Sequence, residues 1–342
     1  MKTKAIYPFT AIVGQEEMKT ALLLSIIMPT LGGVLIKGEK GTAKSTAVRA
    51  AAALLPYLHA VRGCACHCDP SVPDLYCDAC CRRAAEGSIT AEEMPMRVVE
   101  LPVSATEDRV VGTLDMEAAI QHGRKEFEPG ILAAANRNIL YVDEINLLED
   151  HIVDILLDSA AMGVNTVERE GISYAHPARF VLVGTMNPEE GDIRPQLLDR
   201  FALSVTVAGE AAPETRVEVI RRRIAYERDP DAFAAAYAGE QEQLRAQITE
   251  ARDRIVSVEV PDAALDLAAQ ISLALGVDGH RADITLIKAG IAHAALVGRA
   301  TVTAEDLQRV SRLVLAHRLR RRPFEEGAAD WSAVDAILSG AA

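Results

Sequence analysis

A glycine-rich segment near the start of the chain has the residue types and spacing of a phosphate-binding loop. It reads Gly38, Glu39, Lys40, Gly41, Thr42, Ala43, Lys44, Ser45 and Thr46. An apolar run precedes the segment and an alanine-rich helical pattern follows it, which is the setting that a Walker A loop requires. Backbone N–H groups and the positive helix end then bind the phosphates, while Lys44 reaches their oxygens and Ser45 holds Mg²⁺. The segment therefore predicts a site for ATP with Mg²⁺.

One position in this segment departs from the motif. Ala43 stands where a second glycine is usual. A side chain with a Cβ atom is comfortable only at negative φ, so we expect Ala43 to keep a negative φ. Taken alone, the segment is also compatible with an ordinary glycine-rich turn between a strand and a helix.

An apolar run that ends in two acids supplies the second half of the predicted site. The run from Ile139 to Val142 is followed by Asp143 and Glu144. A strand that ends there places Asp143 beside the first loop, where it can orient the Mg²⁺ shell, and Glu144 can act as general base toward water. Two acids after a strand are often only a solvated turn, but together with the glycine-rich loop they indicate ATP hydrolysis.

All six cysteines fall in one short stretch, between Cys64 and Cys81. A chain of 342 residues without an export signal does not resemble a disulfide-stapled secreted domain, so a metal site is favoured. The set with the spacing of a tetrahedral Zn²⁺ site is Cys64, Cys68, Cys77 and Cys80. Residues that could replace one of these ligands are Cys66, His67 and Cys81. An iron–sulfur cluster is a less favoured alternative, and a reduced loop without metal stays open.

The elements around these motifs predict an α/β fold. Short apolar runs alternate with helical patterns over about the first two hundred residues, as in a parallel sheet covered by helices. The predicted strands are 33–36, 97–101, 138–142, 179–184 and 202–207. Beyond Pro213 the pattern is helical almost throughout. The predicted helices there are 213–226, 241–255, 261–275, 284–296 and 303–319, and the last is expected to begin at Thr303 with Asp306 behind it.

Composition limits the classes of partner and compartment. Lys and Arg number 36 against 49 Asp and Glu, a formal charge of −13 that disfavours general binding to nucleic acid. No run approaches the roughly 18 apolar residues of a membrane span, and Met1 to Thr10 contains no signal peptide, so a cytoplasmic protein is expected. A short basic group closes the last long helix and is interpreted as its solvated end, with a partner contact as the alternative. It consists of Arg318, Arg320, Arg321 and Arg322.

Longer segments of the chain resemble the I subunit of magnesium chelatase, a family of AAA+ ATPases. The resembling segments are 107–115, 127–132, 140–148, 163–171, 187–191 and 194–201, and the likeness extends from Ile12 to Arg321. The resemblance implies an AAA+ P-loop core with a parallel sheet between helices, followed by an all-α lid domain. The expected divisions are a core at 1–208, connecting helices at 209–255 and the lid at 256–342. Within the core we expect a Cys-rich insert at 62–83, a helix-borne insertion at about 114–130 and a hairpin at about 163–176.

The resemblance also implies roles for single residues. Asn187 is similar in position to the sensor of the γ-phosphate, and Ile12 and Val13 to residues that lie against the adenine. Arg200, beside Asp199 in the segment Leu-Leu-Asp-Arg-Phe, is similar to the arginine finger offered to the ATP of the neighbouring subunit. Arg281 is similar to the second sensor arginine, which acts within its own subunit or across the interface. A guanidinium from a neighbour adds several orders of magnitude in rate, so hydrolysis would depend on ring assembly.

The function implied by the resemblance is that of the motor that drives Mg²⁺ insertion into protoporphyrin IX. The expected partners are further copies in a ring, as a hexamer, a D-type AAA+/metal-adhesion subunit and a large porphyrin-binding H-type subunit. The chain lacks the Asp-x-Ser-x-Ser motif of the D subunit. Many photosynthetic I subunits lack the Cys-rich insert, so a cobaltochelatase ATPase in cobalamin synthesis is an alternative. A MoxR-like remodelling chaperone and a nucleic-acid translocase are further alternatives, the last disfavoured by the charge.

Overall fold

The computed structural model describes residues 5–39, 41–115, 126–169, 172–277, 279–319 and 331–340. Its strands are β1 (Val34–Gly38), β2 (Tyr57–Val61), β3 (Ala91–Pro95), β4 (Val98–Leu101), β5 (Gly112–Asp115), β6 (Glu126–Pro129), β7 (Ile139–Val142), β8 (Val164–Arg169), β9 (Ile172–Pro177), β10 (Val181–Met186) and β11 (Leu203–Val207). Its helices in the first two hundred residues are α1 (Glu16–Ile27), α2 (Lys44–Ala52), α3 (Asp78–Ala85), α4 (Glu107–Val111), α5 (Ile131–Ala135), α6 (Asp150–Met162) and α7 (Pro195–Leu198). The later helices are α8 (Pro213–Arg228), α9 (Pro230–Ala236), α10 (Ala238–Arg254), α11 (Asp262–Ala274), α12 (Arg281–Leu296), α13 (Ala304–Leu315) and α14 (Ser332–Gly340).

A five-stranded parallel sheet forms the centre of the molecule. Its strand order is β11-β1-β10-β7-β4, and every neighbouring pair is parallel. These are the five strands predicted from the apolar runs, so the predicted α/β fold class is confirmed. Since parallel strands end at the same edge of a sheet, the residues that follow β1, β7, β10 and β11 are brought together.

Both faces of this sheet are covered, which explains why its strands are continuously apolar. Along β1, Val34 and Ile36 belong to one buried cluster and Leu35 to another, because successive side chains of a strand point to opposite faces. The first cluster also contains apolar residues of α1, α2 and the helices from α10 onward. The second contains residues of α5 and α6. Burial on both faces fixes the register of the strands that carry the site.

The helices after the sheet pack on one another and on α1. Helices α12 and α13 form the most extensive helix pair, α1 packs against α10 and α12, and α13 contacts β11. The predicted start of α13 is confirmed as a capping box between Thr303 and Asp306. Asp306 is fully buried and its Oδ1 lies 2.7 Å from Nδ1 of His293 on α12, so one carboxylate joins the two helices. None of the helices in the described ranges has both the length and the apolar character that a membrane crossing requires.

Three antiparallel strand pairs extend from the core. β2 and β3 bracket the Cys-rich insert, β8 and β9 pair where the hairpin was predicted, and β5 pairs with β6. The expected helix-borne insertion at about 114–130 includes the end of β5 and all of β6, and its middle, 116–125, lies outside the described residues. The ring of Phe127 on β6 stacks on that of Tyr174 on β9, with centroids 3.8 Å apart and planes inclined by 21°. Asn165 Nδ2 on β8 donates to Val111 O over 2.9 Å, so β8–β9 contacts β6 through the rings and the end of α4, just before β5, through this bond.

Candidate functional site

A cleft of ≈ 820 Å³ opens at the carboxyl edge of the sheet. Most of the residues predicted to bind ATP line it together, although they come from four different segments of the chain. They are Ile12, Val13, Gly41, Thr42, Ala43, Lys44, Ser45, Thr46, Asp143, Glu144 and Asn187. Three of the predicted nucleotide-site residues, all within the described part of the chain, do not line this cleft: Gly38, Arg200 and Arg281.

The glycine-rich loop lies between β1 and α2, as its pattern predicts. Gly38 has φ of +153°, and a Cβ atom there would lie 2.1 Å from Val207 O, so only glycine fits beside β11. The expectation for Ala43 is wrong: its φ is +60° and ψ is +19°, in the left-handed region. The backbone at Ala43 therefore keeps the left-handed conformation that glycine adopts readily. The methyl group of Ala43 makes this conformation less favourable by about 1 kcal/mol. Lys44 Nζ donates to the loop carbonyls of Gly38 and Glu39.

Two hydroxyl groups, both missed by the sequence analysis, hold Asp143 in place. Tyr141 OH lies 2.9 Å and Thr185 Oγ1 2.5 Å from Oδ1 of Asp143. Burial raises the pKa of Tyr141, so its hydroxyl stays protonated and donates. Tyr141 was recognisable as a neighbour of Asp143 because residues two apart on a strand share a face. Thr185 was not recognisable as a neighbour of Asp143. It lies there only because β10 pairs with β7 in a register that sets Gly184 opposite Val142.

Glu144 follows Asp143 with an unusual backbone conformation. Its φ of +53° and ψ of +50° are left-handed, and its N–H donates to Thr185 Oγ1 over 3.3 Å. Non-glycine residues in this region cost of the order of 1 kcal/mol and persist where the surroundings determine them. The turn directs the side chain of Glu144 into the cleft.

The opposite wall of the cleft comes from residues before α1 and after β10 and β11. Asn187 is buried, and its Oδ1 accepts a hydrogen bond from Glu189 N over 3.3 Å. Gln15 Nε2 donates to Ala208 O over 2.9 Å, which ties the segment containing Ile12 to the end of β11. Five further residues that line the cleft were not predicted: Tyr7, Gln15, Glu210, Arg216 and Arg223. No motif marks them, because only tertiary packing brings them to the cleft.

Arg200 lies outside the cleft, on the face of the molecule that carries α6. Its Nη1 lies 2.7 Å from Asp154 Oδ1 and 2.9 Å from Asp158 Oδ1. The side chain is about one-third exposed. In the single chain, Arg200 is therefore accessible from outside and held by two carboxylates of α6.

Asp199, the residue before Arg200, is bound by two arginines, one at the start of α12 and one in the turn after α13. Arg281 Nη1 lies 3.2 Å from Oδ2 and Arg318 Nε lies 3.2 Å from Oδ1. Arg318 also donates to the carbonyls of Asp199, Phe201 and Ala202. The interpretation of Arg318 as part of a solvated helix end is wrong, because its side chain is 1% exposed. Its three companions, 320–322, lie outside the described residues.

The cysteines form a compact cluster between β2 and β3. The Sγ atoms of the four predicted ligands, Cys64, Cys68, Cys77 and Cys80, all lie within 4.8 Å of one another. The 3.8 Å separation of the Cys64 and Cys77 sulfurs matches the edge of a tetrahedron with Zn–S bonds of about 2.3 Å. All six cysteines are free thiols. Hydrogen bonding from the neighbouring thiols of Cys66 and Cys68 lowers the pKa of Cys64, which favours the thiolate.

The alternative ligands are less well placed. Cys81 is exposed and its Sγ faces Tyr76 O at 3.8 Å. The ring of His67 lies between Arg97 Nη2 and Asn138 Nδ2, each 3.4 Å from one of its nitrogens. Cys66 is buried in the same apolar cluster and stays within hydrogen-bonding reach of Cys64. The geometry thus favours the set of four.

The donor groups of the cleft fit Mg-ATP. The glycine-rich loop begins a helix, so its N–H groups and the helix end favour phosphate, and Lys44 supplies a positive charge beside them. Ser45 and Asp143, which are oxygen ligands of the kind that Mg²⁺ prefers, line the same cleft. The apolar side chains of Ile12 and Val13 supply a surface for a base. A nucleoside triphosphate with its metal is therefore the ligand that this arrangement can hold.

Comparison with known proteins shows similarity over nearly the whole chain. Residues 112–196 match the family described as magnesium chelatase, subunit ChlI, and residues 265–337 match the AAA lid domain. The chain is 53% identical over 341 residues to the magnesium-chelatase 38 kDa subunit of Acidiphilium rubrum, covering 99% of each chain. It is 54% identical over 320 residues to the magnesium-chelatase subunit ChlI homolog of Methanocaldococcus jannaschii, covering 94% of this chain and 87% of that one.

A solved structure is similar as well. It is the complex between subunits BchI and BchD of magnesium chelatase, from single-particle cryo-electron microscopy at 7.5 Å. The matched chain is 51% identical to this one with a TM-score of 0.57, and the match covers 98% of this chain and 100% of that chain.

Proposed function

Because the chain belongs to the family of magnesium-chelatase ChlI subunits, we propose that it is the ATP-hydrolysing motor of a chelatase that inserts Mg²⁺ into protoporphyrin IX. The observation that carries the proposal is the cleft that gathers the glycine-rich loop, Asp143, Glu144 and Asn187 at one edge of the sheet. These similarities do not favour the cobalt, remodelling and translocase alternatives.

The residues of the cleft divide the work of hydrolysis. The loop N–H groups and Lys44 bind the phosphates, and Ser45 with Asp143 holds Mg²⁺, which neutralises phosphate charge when bound. Tyr141 and Thr185 keep the carboxylate of Asp143 in one orientation. The carboxylate of Glu144 takes up a proton from the attacking water, and the amide of Asn187 orients that water.

Two arginines complete the site between subunits. Arg200, at the surface, serves the cleft of a neighbouring copy, and Arg281 senses the nucleotide from the lid. The ion pair between Arg281 and Asp199, the residue before Arg200, couples the finger to the lid helices. This arrangement requires a ring of copies, which we propose is a hexamer. The proposed division into core (1–208), connecting helices (209–255) and lid (256–342) places Arg200 and Arg281 in different domains.

The proposed partners follow from the relatives. The BchI–BchD complex supports a D-type partner for this chain, and a large H-type subunit would bind the porphyrin and perform insertion. The cleft described here is suited to a nucleotide, so the tetrapyrrole site is assigned to that other subunit. A reducing compartment such as the cytoplasm fits the six free thiols.

We also propose that Cys64, Cys68, Cys77 and Cys80 bind one structural Zn²⁺. Support comes from the sulfur separations, the burial of three of the four residues and the absence of any disulfide among the six cysteines. Four thiolates around a d¹⁰ ion make a closed site without an open position for chemistry. Metal analysis of protein purified anaerobically without chelators should give about one equivalent of zinc. Protein free of metal under those conditions would disprove this site.

The motor function is tested with a reconstituted complex. Wild-type chain is mixed with D-type and H-type subunits, ATP and protoporphyrin IX, and the metallated porphyrin is followed by its absorption bands with Mg²⁺ or Co²⁺ supplied. Glu144→Gln should still bind ATP, yet hydrolyse it about 10²- to 10⁴-fold more slowly and support no insertion, because the general base is lost. Glu149→Gln, which changes an exposed carboxylate nearby, is the matched control and should behave as wild type.

Three results would contradict the proposal. Near-normal hydrolysis by Glu144→Gln would remove its role as base. Insertion of Co²⁺ with no insertion of Mg²⁺ would reassign the complex to a cobaltochelatase. Hydrolysis stimulated by single-stranded DNA, with steep salt dependence, would indicate a translocase.

A further inference from the structure

The connector between α5 and β7 joins the Cys-rich insert to the strand that carries the catalytic acids. It consists of Asn136, Arg137 and Asn138, and two of its side chains are buried almost completely, with 2% exposure for Asn136 and 0% for Asn138. Nothing in the chemistry of ATP hydrolysis requires three polar residues here. The hydrogen-bond and ion-pair partners of these three residues show which segments of the chain they hold together.

The connector binds the loop that lies between two of the cysteine ligands. Asn136 Nδ2 donates to Cys66 O over 2.6 Å, and Arg137 Nη1 donates to His67 O over 3.3 Å. Arg137 Nη2 also pairs with Asp69 Oδ2 at 2.8 Å, one residue past Cys68. A metal ion held by the cysteines on both sides of this loop would fix the carbonyls that the connector contacts.

The same connector fastens three strands at the amino edge of the sheet. Asn138 O accepts from Val181 N over 3.0 Å, and its Oδ1 accepts from Arg97 N over 3.0 Å. Asn136 Oδ1 accepts from Arg179 N over 2.9 Å. The starts of β4, β7 and β10 therefore depend on the conformation of this segment.

The backbone of Arg137 is held in an unfavourable conformation. Its φ is +63°, which costs an arginine of the order of 1 kcal/mol, and such conformations persist only where contacts determine them. The contacts are the three made by its guanidinium to His59 O, His67 O and Asp69, together with its N–H bond to Arg179 O. Two of these four partners, His67 and Asp69, belong to the insert, and a third, His59, lies on β2 at its edge. Loss of the insert's fold would therefore release the connector.

β7 transmits a change at this edge to the other edge. The strand has four residues, a length of about 13 Å, and its far end continues into Asp143 and Glu144. A misplacement of about 1 Å in a catalytic group can reduce a rate by about 100-fold. The glycine-rich loop is carried by β1 and α2, which do not include the connector, so nucleotide binding should depend on it less than hydrolysis.

The insert itself has little apolar core to keep it folded without a metal. Its buried cluster contains four cysteines, Val61 and Ala133. Segments of this size generally need a metal or disulfides for a defined structure. The cysteine cluster is therefore the part of the molecule whose order depends most on metal occupancy.

From these contacts we propose that metal occupancy of the cysteine cluster regulates ATP hydrolysis by positioning β7 through Asn136, Arg137 and Asn138. The proposal rests on the proposed ATPase function. Arg137 is a positioning residue: it touches neither the cleft nor the metal ligands' sulfurs. With zinc bound, Asp143 and Glu144 are aligned; with zinc removed, the connector relaxes and hydrolysis slows while nucleotide is still bound.

The test uses the full chain and measures zinc content, affinity for a fluorescent ADP analogue and the turnover number for ATP. Cys77→Ser should lose zinc and reduce turnover at least about tenfold, with ADP-analogue affinity within about threefold of wild type. Cys81→Ser, which changes the exposed cysteine outside the ligand set, should keep zinc and turnover.

A second variant separates the connector from the metal itself. Arg137→Gln leaves every cysteine in place, so it should retain one equivalent of zinc and the Co²⁺–thiolate absorption of cobalt-substituted protein. Its turnover should nevertheless fall at least about tenfold. Arg82→Gln, at an exposed position on α3 of the insert, is the matched control and should leave turnover unchanged.

The outcomes distinguish this proposal from the ATPase assignment. Turnover by zinc-loaded Arg137→Gln within about twofold of wild type would overturn the coupling, as would full turnover by zinc-free Cys77→Ser. Wild-type protein that neither binds the ADP analogue nor hydrolyses ATP would instead overturn the ATPase function. A tenfold loss in Arg137→Gln with unchanged zinc and unchanged analogue affinity supports the coupling.

Discussion

The guanidinium of Arg318 lies beneath the carboxylate of Asp199, with Nε 3.2 Å from Oδ1. Arg281 binds the other oxygen of the same carboxylate, with its Nη1 3.2 Å from Asp199 Oδ2. Arg281 begins α12 and Arg318 lies in the turn after α13, while Asp199 directly precedes Arg200. The position of the proposed finger is therefore tied to that of the helices that follow the sheet.

We expect Arg318→Met to destabilise the protein by about 3 kcal/mol. Burial lowers the pKa of Arg318 to about 10, so the residue is charged at neutral pH and donates to several carbonyls that would lose their partner. Urea unfolding measures the loss. Arg309→Gln, exposed on α13, should stay within about 0.5 kcal/mol of wild type. An equally small change for Arg318→Met would show that water replaces the guanidinium.

Arg200→Ala should bind nucleotide but hydrolyse it about 10³-fold more slowly, because the transition-state charge loses a guanidinium. Lys44→Ala should be inactive for lack of phosphate binding. Mixing the two inactive variants should restore part of the activity, since some interfaces then combine an intact cleft with an intact finger. Steady-state hydrolysis against mixing ratio is the measurement. Rings that stay inactive at every ratio would mean that Arg200 does not act across the interface.

Tyr141→Phe should raise the Mg²⁺ concentration needed for half-maximal hydrolysis about tenfold. It removes one of the two hydroxyl donors to Asp143, and groups that orient a metal ligand are typically worth 10- to 100-fold in metal affinity. Tyr57→Phe removes an exposed hydroxyl and is the control. Identical Mg²⁺ titrations for both variants would show that Tyr141 does not orient Asp143 and that Thr185 is sufficient to do so.

Stability should fall on acidification partly because of His317. Burial, together with the charge of Arg318, lowers the pKa of His317 to about 3, and its Nε2 donates to Phe201 O over 2.9 Å. Since an unfolded histidine has a pKa of about 6.5, its contribution is complete above that pH. It is lost at up to about 1.4 kcal/mol per unit as the pH falls from about 6.5 toward 3.

His317→Gln keeps a donor for Phe201 O and does not titrate, so its melting temperature should fall less than that of wild type between pH 7.5 and pH 5. His151→Gln, at an exposed position, should follow the wild-type curve. Parallel melting curves for wild type and His317→Gln would show that His317 does not carry the acid sensitivity.

Much of the fold could be predicted from the sequence because its signals are local. Buried parallel strands are continuous apolar runs, and the capping box of α13 is written in four consecutive residues, 303–306. The left-handed φ of Ala43 was not predictable from its side chain, because the geometry of the whole loop determines the backbone there.

The parts that could not be predicted depend on distant contacts. Arg318 has the local pattern of a solvated helix end, yet its partners lie between Asp199 and Ala202. Thr185 reaches Asp143 only through strand register, and Asn136 reaches Cys66 across seventy positions of sequence. Spacing alone grouped the four cysteines, because they lie close together in the chain.

The stacked rings of Phe127 and Tyr174 join two protrusions that the sequence separates widely. The two strand pairs, joined by these rings, form one body, and neither pair can be displaced alone without separating the rings. Helix α5 links this body to β7, since α5 follows β6 and the connector follows α5. A rearrangement around the nucleotide would therefore displace both strand pairs together. A partner protein bound to either pair would undergo the same displacement.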